Sequence, residues 1–184
     1  MLGFLSKLLK VALISTLLAS ILPVAAARHK EYGTQNYIYM GEFAKLRHKA
    51  ELGDPDALFV LGNYYYKPPR GTNFKKDLRK SAEYYFKASV RGNPAAQYNY
   101  AFMLSKGQGV AKNLLESYIW FRLAAENDSP VAKHINHLSK NAVEVMGKQL
   151  TKVQRLLAEK KIQYYAKAIA SKRYHRIKFA NHRK

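Results

Sequence analysis

The sequence contains no cysteine. This absence excludes a disulfide framework, a lipid-modified N-terminal cysteine and a cysteine-ligated zinc site. An exported protein without disulfides depends on its hydrophobic core alone for stability. The 184 residues are enough for one domain with extensions.

Acidic residues are few, with 12 Asp and Glu against 32 Lys and Arg. The imbalance is concentrated in residues 148–184, which carry twelve basic residues and one acidic residue. Such a segment attracts polyanions, including nucleic acid, anionic lipid, lipopolysaccharide or an acidic protein, although a solvated helix face would have the same composition. The candidate polyanion contacts are Lys152, Arg155, Lys160, Lys161, Lys167, Lys172, Arg173, Arg176 and Lys178.

Long apolar runs are absent after the first 27 residues. The run from Val11 to Leu22 follows Lys7 and Lys10 and precedes three alanines that end at Ala27. This pattern predicts a signal peptide over residues 1–27 with cleavage after Ala27; a retained membrane anchor is the alternative. We therefore expect a periplasmic or secreted protein without a transmembrane span, and this route argues against nucleic acid as the normal target.

Catalytic motifs are also missing. The sequence has no His-Glu-x-x-His and no Gly-x-Ser-x-Gly, and its carboxylates are scattered near expected helix starts. His134 and His137 are spaced for one helix face, but no third ligand lies one turn away, so ordinary surface histidines are favoured over a metal site. Gly107-x-Gly109 resembles the start of a phosphate loop, yet the required third glycine is absent. The sequence predicts no cofactor, no metal and no enzymatic activity; a cell-wall enzyme is the weaker alternative.

What the sequence does contain is an internal repeat. One set of small and aromatic residues recurs 36 positions later: Ser81, Tyr84, Tyr85, Ala88 and Ser89 correspond to Ser117, Trp120, Phe121, Ala124 and Ala125. An offset of 39 relates Gly53-Asp54-Pro55 to Gly92-Asn93-Pro94. Repeats of this length with helical spacing are typical of stacked helical hairpins. The predicted fold is all-α.

The turn signals divide the chain into segments. A lead-in over residues 28–41 precedes repeats over 42–146, with hairpins starting at Pro55 and Pro94 and a third unit from Pro130. A basic capping helix is predicted over 147–171, starting at the capping box of Thr151 and Gln154. Its predicted apolar stripe is Val153, Leu156, Leu157, Tyr164, Ala168 and Ile169. A basic disordered tail is expected over 172–184.

The second hairpin resembles the Sel-one-like repeat family, a relative of the tetratricopeptide repeats. The matching residues are Ala96, Tyr100, Ala101, Leu104, Gly107, Gly109, Val110, Asn113, Ser117, Trp120, Phe121, Ala124 and Ala125. The first hairpin keeps Leu61-Gly62 and Asp77 but departs at Asn73 and at Tyr84-Tyr85. The resemblance implies a short right-handed α-solenoid that acts as a scaffold for protein complexes, and exported bacterial members are linked to envelope functions and host interaction.

In tetratricopeptide-like hairpins the first helix of each unit lines the concave surface. With Leu61-Gly62 and Tyr100-Ala101 packed inward, the neighbouring face presents aromatic and polar side chains that suit a protein or peptide partner. Further packing between units would explain the same aromatics. The predicted partner-binding residues are Phe59, Asn63, Tyr66, Tyr98, Phe102, His134 and Leu138.

Overall fold

The computed structural model describes residues 41–70, 72 and 74–179. The chain divides into two compact units, residues 1–45 and residues 46–184. Residues 41–45, the described part of the first unit, are helical. The predicted signal peptide, its cleavage site at Ala27 and the lead-in up to residue 40 lie outside the described residues.

The regular secondary structure in the described part of the second unit is all helical, and it forms the predicted short α-solenoid of hairpins. Its α-helices are α1 (residues 46–51), α2 (Pro55–Tyr66), α3 (Leu78–Ser89), α4 (Pro94–Lys106), α5 (Leu114–Ala125), α6 (Lys133–Gly147) and α7 (Lys152–Ala170). Short 3-10 turns over Pro130–Ala132 and Tyr174–Arg176 precede α6 and follow α7. Helices α2 and α3 form one hairpin, α4 and α5 form the next, and α6 packs against α5.

Each helix of the two hairpins begins at a side-chain cap. Asp54, Asp77, Asn93 and Asn113 each accept a hydrogen bond from the backbone amide three residues later, at 2.7 to 3.0 Å. These bonds satisfy amides that a helix start otherwise leaves without partners. The four helix starts of the two hairpins therefore share one capping pattern.

The turn between α4 and α5 depends on glycine. Gly107 and Gly109 have φ values of 69° and 70°, a left-handed conformation that side chains with a Cβ avoid. A Cβ on Gly109 would also lie 2.1 Å from the carbonyl oxygen of Leu78. The Gly-x-Gly pair is thus a turn between two helices, and it packs on the start of α3.

Within each hairpin the two helices approach closely through small residues. A Cβ on Gly62 would lie 2.5 Å from the Tyr85 ring, so only glycine fits at this contact. The buried Ser81 hydroxyl donates to the Gly62 carbonyl at 2.8 Å, and the buried Ser117 hydroxyl donates to the Ala101 carbonyl at 2.7 Å. The predicted inward packing of Leu61-Gly62 and Tyr100-Ala101 is confirmed.

An aromatic cluster joins the hairpins to the C-terminal segment. Trp120 is 1% exposed, and its ring lies 5.7 Å from that of Tyr100 and 5.4 Å from that of Tyr165. Since Tyr165 lies on α7, this helix packs against α5 and covers the tryptophan. Edge-to-face and tilted arrangements of this kind stabilise beyond simple burial.

The face that α7 buries differs from the predicted stripe. The capping box of Thr151 and Gln154 is present, but the buried side chains are Ala158, Ile162, Tyr165 and Ala168. Most of the predicted stripe is exposed: Val153, Leu156, Leu157 and Tyr164 at 67%, 60%, 48% and 46%. Glu116 at the start of α5 accounts for part of this orientation, because it accepts a hydrogen bond from Tyr165 and pairs with Lys161. Glu116 thereby joins α5 to α7.

The segment after α7 also differs from the predicted disordered tail. Ile177 is 4% exposed, and the Phe179 ring lies 5.4 Å from Phe86 and 5.9 Å from Tyr100. The Arg91 guanidinium lies 5.1 Å from the centre of the Tyr174 ring. Residues 172–179 are therefore packed on the hairpins, through Tyr174 and Phe179, rather than disordered, and residues 180–184 of the predicted tail lie outside the described residues.

Candidate functional site: a groove between the two hairpins

A groove of about 490 Å³ runs between the first helices of the two hairpins. Helix α2 forms one wall and α4 the other, while α3 supplies the floor. The lining residues are Asn63, Tyr66, Lys67, Tyr85, Tyr98, Asn99, Phe102 and Met103. A groove of this size accommodates several side chains of an extended or helical peptide.

The structure brings four of the seven predicted partner-binding residues into this groove: Asn63, Tyr66, Tyr98 and Phe102. Their half-buried side chains combine packing on the hairpin with an accessible surface. The Tyr98 ring, for example, lies edge-on to Phe121 at 5.3 Å. Their role in binding a partner remains a prediction.

The other three predicted residues lie elsewhere. The Phe59 ring packs on the Tyr85 ring at 5.9 Å and is not part of the lining. His134 and Leu138 belong to α6, which packs against α4 and α5 rather than beside α2. The predicted partner-binding surface is therefore limited to the two hairpins and does not include α6, because the groove lies between α2 and α4.

Hydrogen bonds hold the floor and walls together. The Tyr85 hydroxyl donates to Asn63 Oδ1 at 2.7 Å, and the Tyr66 hydroxyl donates to Gln108 Oε1 at 3.3 Å. Burial raises the pKa of Tyr85 to about 12, so this hydroxyl remains a neutral donor at physiological pH. The bond fixes the amide of Asn63, a residue that lines the groove and whose side-chain nitrogen carries two N–H donors.

Sequence reasoning did not assign four lining residues: Lys67, Tyr85, Asn99 and Met103. Tyr85 is one of the repeated aromatic residues, and it is buried at 2% exposure while its edge still forms the groove floor. Asn99 lies three residues before Phe102 on α4, so helical spacing from Phe102 could have identified it. Lys67 follows the last residue of α2, where no periodic signal applies.

The charge of the groove is positive. Among the described residues that line it, Lys67 carries a charge and none is acidic. Lys106 extends over the Phe102 ring, with its Nζ 6.0 Å from the ring centre. The lining can therefore bind apolar or aromatic side chains by packing, amide groups by hydrogen bonds, and a carboxylate through lysine.

A second, polar notch of about 320 Å³ lies at the start of α6. His137 lines it together with Lys133 and Lys140, and His134 does not. Over residues 41–70, 72 and 74–179, no group of three or more histidines, cysteines and acidic residues is placed to hold a metal ion. In the same ranges, no helix combines the length and apolar character needed to cross a membrane.

The predicted polyanion contacts fall into two groups. Three have partners on the protein: Lys161 pairs with Glu116, Arg155 donates to the Gly147 carbonyl at 3.4 Å, and Arg173 donates to the Ser171 hydroxyl at 2.9 Å. The side chain of Arg176 lies outside the described residues. The remaining five are exposed: Lys152, Lys160, Lys167, Lys172 and Lys178.

Comparison with known proteins connects this geometry to a family. Residues 55–93 and 94–129 match the family described as Sel1 repeat. A crystal structure of a protective antigen present in uropathogenic Escherichia coli strains, which displays an SLR fold, aligns at a TM-score of 0.59 and 28% identity, over 73% of this chain and 27% of that chain. A Sel1 repeat protein from Oxalobacter formigenes aligns at a TM-score of 0.42 and 29% identity, over 48% of this chain and 25% of that chain. This chain thus spans about a quarter of the length of each, and no curated protein matches it.

Proposed function

Since the chain carries two Sel1 repeats and thereby belongs to the Sel1-like repeat proteins, we propose that it is an adaptor that binds a protein or peptide in the groove between α2 and α4. Sel1 repeats generally mediate protein–protein interaction, and proteins built from them are typically not enzymes. For this chain we propose in addition that the groove is the partner site and that the protein acts without catalysis.

The observation that carries the proposal is the composition of the groove wall. Tyr66, Tyr98 and Phe102 present aromatic surface beside the Asn63 and Asn99 amides. Aromatic side chains in a concave site are the residues that dominate binding energy at interfaces. Amide groups placed among them can hydrogen-bond a peptide backbone, which supplies affinity without requiring one sequence.

The charge of the groove specifies the partner further. Lys67 lines the groove and Lys106 lies over Phe102, so a peptide with an acidic residue or a terminal carboxylate near an apolar anchor fits best. Charge complementarity of this kind raises the association rate and excludes basic competitors.

The test is photocrosslinking from the groove, followed by direct binding to the protein identified. A photoreactive phenylalanine at position 102 should crosslink a discrete protein in a native extract, whereas the same group at the exposed position Val145 should not. Tyr98→Ser should then weaken binding of that purified protein about thirtyfold, as expected for an aromatic hot spot.

A matched control separates the groove from general damage. Tyr164→Ser removes a tyrosine of α7 that is 46% exposed and lies away from the groove lining, and it should leave binding unchanged. Lys67→Glu alters charge without touching the core and should weaken binding as well. Equal binding by the folded Tyr98→Ser and Lys67→Glu variants would overturn the groove proposal.

A second candidate function is contact with a polyanion through the C-terminal segment. The observation in its favour is that Lys152, Lys160, Lys167, Lys172 and Lys178 are exposed while Glu159, the acidic residue of α7, pairs with Arg122 at 2.6 Å. Binding to heparin should then weaken steeply with salt and fall in Lys160→Glu/Lys167→Glu. Charge reversal is preferable to deletion of the segment, because α7 covers Trp120.

Export of the protein is also part of this proposal. It is supported by the sequence of residues 1–27, in which lysines precede an apolar run and small residues follow it. Fractionation of cells that express the chain, with N-terminal sequencing of the product, should find a periplasmic or secreted form that begins at Arg28. A cytoplasmic, uncleaved product would contradict the export proposal and leave the groove proposal intact.

A further inference from the structure

The outward surface of α7 carries both apolar and basic side chains along one line of the helix. Val153, Leu157, Lys160, Tyr164 and Lys167 follow one another at spacings of three and four residues, so they share one side of the helix. Leu156 lies beside them, one turn before Lys160. All six are exposed, whereas Ala158, Ile162 and Tyr165, which α7 buries, lie on another side of the helix.

This arrangement is unusual for a helix docked on a soluble protein. A docked helix normally buries its apolar side and presents its polar side to water. Exposed leucines on the outward side therefore leave apolar surface in contact with water. The outward residues are not isolated, because Val153, Leu156, Leu157 and Tyr164 cover more than three turns. We infer that this surface, which we call the outer face of α7, lies in the interface of an anionic phospholipid bilayer.

Three observations favour a lipid surface as the occupant. The exposed leucines and valine gain free energy only if they leave water, and the acyl region beneath the headgroups provides that environment. Lys160 and Lys167 stand on the same line, where their long side chains can reach phosphate groups while their carbons stay among apolar neighbours. Helix α7 carries five basic residues and one acidic residue, Glu159, which is paired with Arg122. Each lysine near an anionic surface adds attraction.

A small notch beside the outer face fits the headgroup. It has a volume of about 210 Å³ and is lined by Tyr164, Lys167, Ala168 and Arg173. Lys167 and Arg173 provide two positive charges, and together with the Tyr164 hydroxyl they provide the hydrogen-bond donors that a phosphate group requires.

The same features disfavour the other occupants. A second copy of the chain would place Lys160 and Lys167 of one outer face against those of another, and this repulsion would oppose pairing. A soluble polyanion such as nucleic acid or heparin would satisfy the lysines but would leave the leucines in water. The lipid inference deepens the second candidate function above and is independent of the groove.

The absence of cysteine from the chain permits a site-specific test. An environment-sensitive fluorophore is attached to Leu157→Cys on the outer face, or to Asn141→Cys, an exposed control position on α6. The probes are vesicles of phosphatidylcholine alone and vesicles of equal parts phosphatidylcholine and phosphatidylglycerol, each with a nitroxide quencher in the acyl chain. A probe at one position is preferable to vesicle sedimentation, because the apolar residues 11–22 of the full chain would also bring it to lipid.

We expect quenching at position 157 with the anionic vesicles, much less with phosphatidylcholine alone, and none at position 141. Leu156→Ser should raise the lipid concentration for half-maximal quenching about tenfold, since one leucine no longer leaves water. Val131→Ser, a matched loss of a valine that is 78% exposed outside α7, should leave it unchanged. Lys160→Glu/Lys167→Glu should abolish the preference for anionic lipid.

Two results would overturn the inference. Absence of quenching at position 157, with heparin binding retained, would refute the lipid surface while the polyanion candidate survives. If the fluorophore at position 157 becomes more buried as the protein concentration rises, without vesicles present, the occupant of the outer face is a second copy of the chain instead.

Discussion

Two neighbouring tyrosines on α7 provide a sharp test of how this helix is oriented. Tyr165 is 8% exposed and covers Trp120, whereas Tyr164 is 46% exposed. Replacement of each by alanine changes the same side chain at adjacent positions of one helix, so helix propensity changes equally. The two variants differ in the packing lost and in the hydrogen bond that Tyr165 makes.

The size of the difference follows from the contacts. Tyr165→Ala removes a buried aromatic side chain, which costs about 3–5 kcal/mol in a core, including the ring contact with Trp120 at 5.4 Å. It also removes the hydroxyl that donates to Glu116 Oε2 at 3.3 Å. Tyr164→Ala exposes no core and should cost less than about 1 kcal/mol. The larger loss is a sizeable part of a typical domain stability of about 5–15 kcal/mol.

Denaturation in urea, followed by circular dichroism, measures both free energies of unfolding. Trp120 is the only tryptophan of the chain, so its emission reports this site without labelling. In folded Tyr165→Ala the emission should shift to longer wavelength and become accessible to acrylamide, and in Tyr164→Ala it should not. Equal losses of stability in the two variants, or an unchanged tryptophan spectrum in Tyr165→Ala, would refute the described orientation of α7.

Three further predictions concern the hairpins. Gly109→Ala should lower the melting temperature far more than Gly107→Ala, because both residues have positive φ but only the first would bring a Cβ to 2.1 Å from the Leu78 oxygen; thermal denaturation of the pair decides this, and similar losses would contradict it. Ser117→Ala should cost about 1 kcal/mol in urea denaturation through loss of a buried hydrogen bond, and a neutral result would contradict that bond. Burial raises the pKa of Tyr85 from 10.0 to about 12. The stability that this residue contributes is therefore complete below pH 10, and about 3 kcal/mol of it is lost as the pH rises towards 12. Tyr85→Phe should show a shallower decline in stability over that range, and an equal decline would count against the raised pKa.

Much of the solenoid could be predicted because its determinants are local and occur twice. The caps and the inward small residues each act within a few positions, so two copies at a fixed offset identify them. Four groove residues followed from the same logic, since spacing from Leu61-Gly62 and Tyr100-Ala101 fixes which side of α2 and α4 faces the groove.

The predictions were wrong where one sequence pattern fits two different structures. Helix α7 has apolar residues on two sides, and periodicity alone cannot decide which side meets α5. The contacts that decide are distant in sequence: Glu116 with Lys161 and Tyr165. Residues 172–179 look like a polar tail for a similar reason, since Phe179 packs on Phe86 of α3 and Tyr100 of α4, which are distant in sequence.

The hydrogen bonds that hold α2 on α3 are separate from some of the side chains that line the groove. Ser81 donates to the Gly62 carbonyl and Tyr85 donates to Asn63, and both bonds join the α2 wall to α3. Lys67 and Phe102 line the same groove and take part in neither bond. Exchange of these two residues would therefore alter what is recognised while the α2–α3 hairpin keeps its packing, which makes this small repeat pair a suitable starting scaffold for selecting new binding specificities.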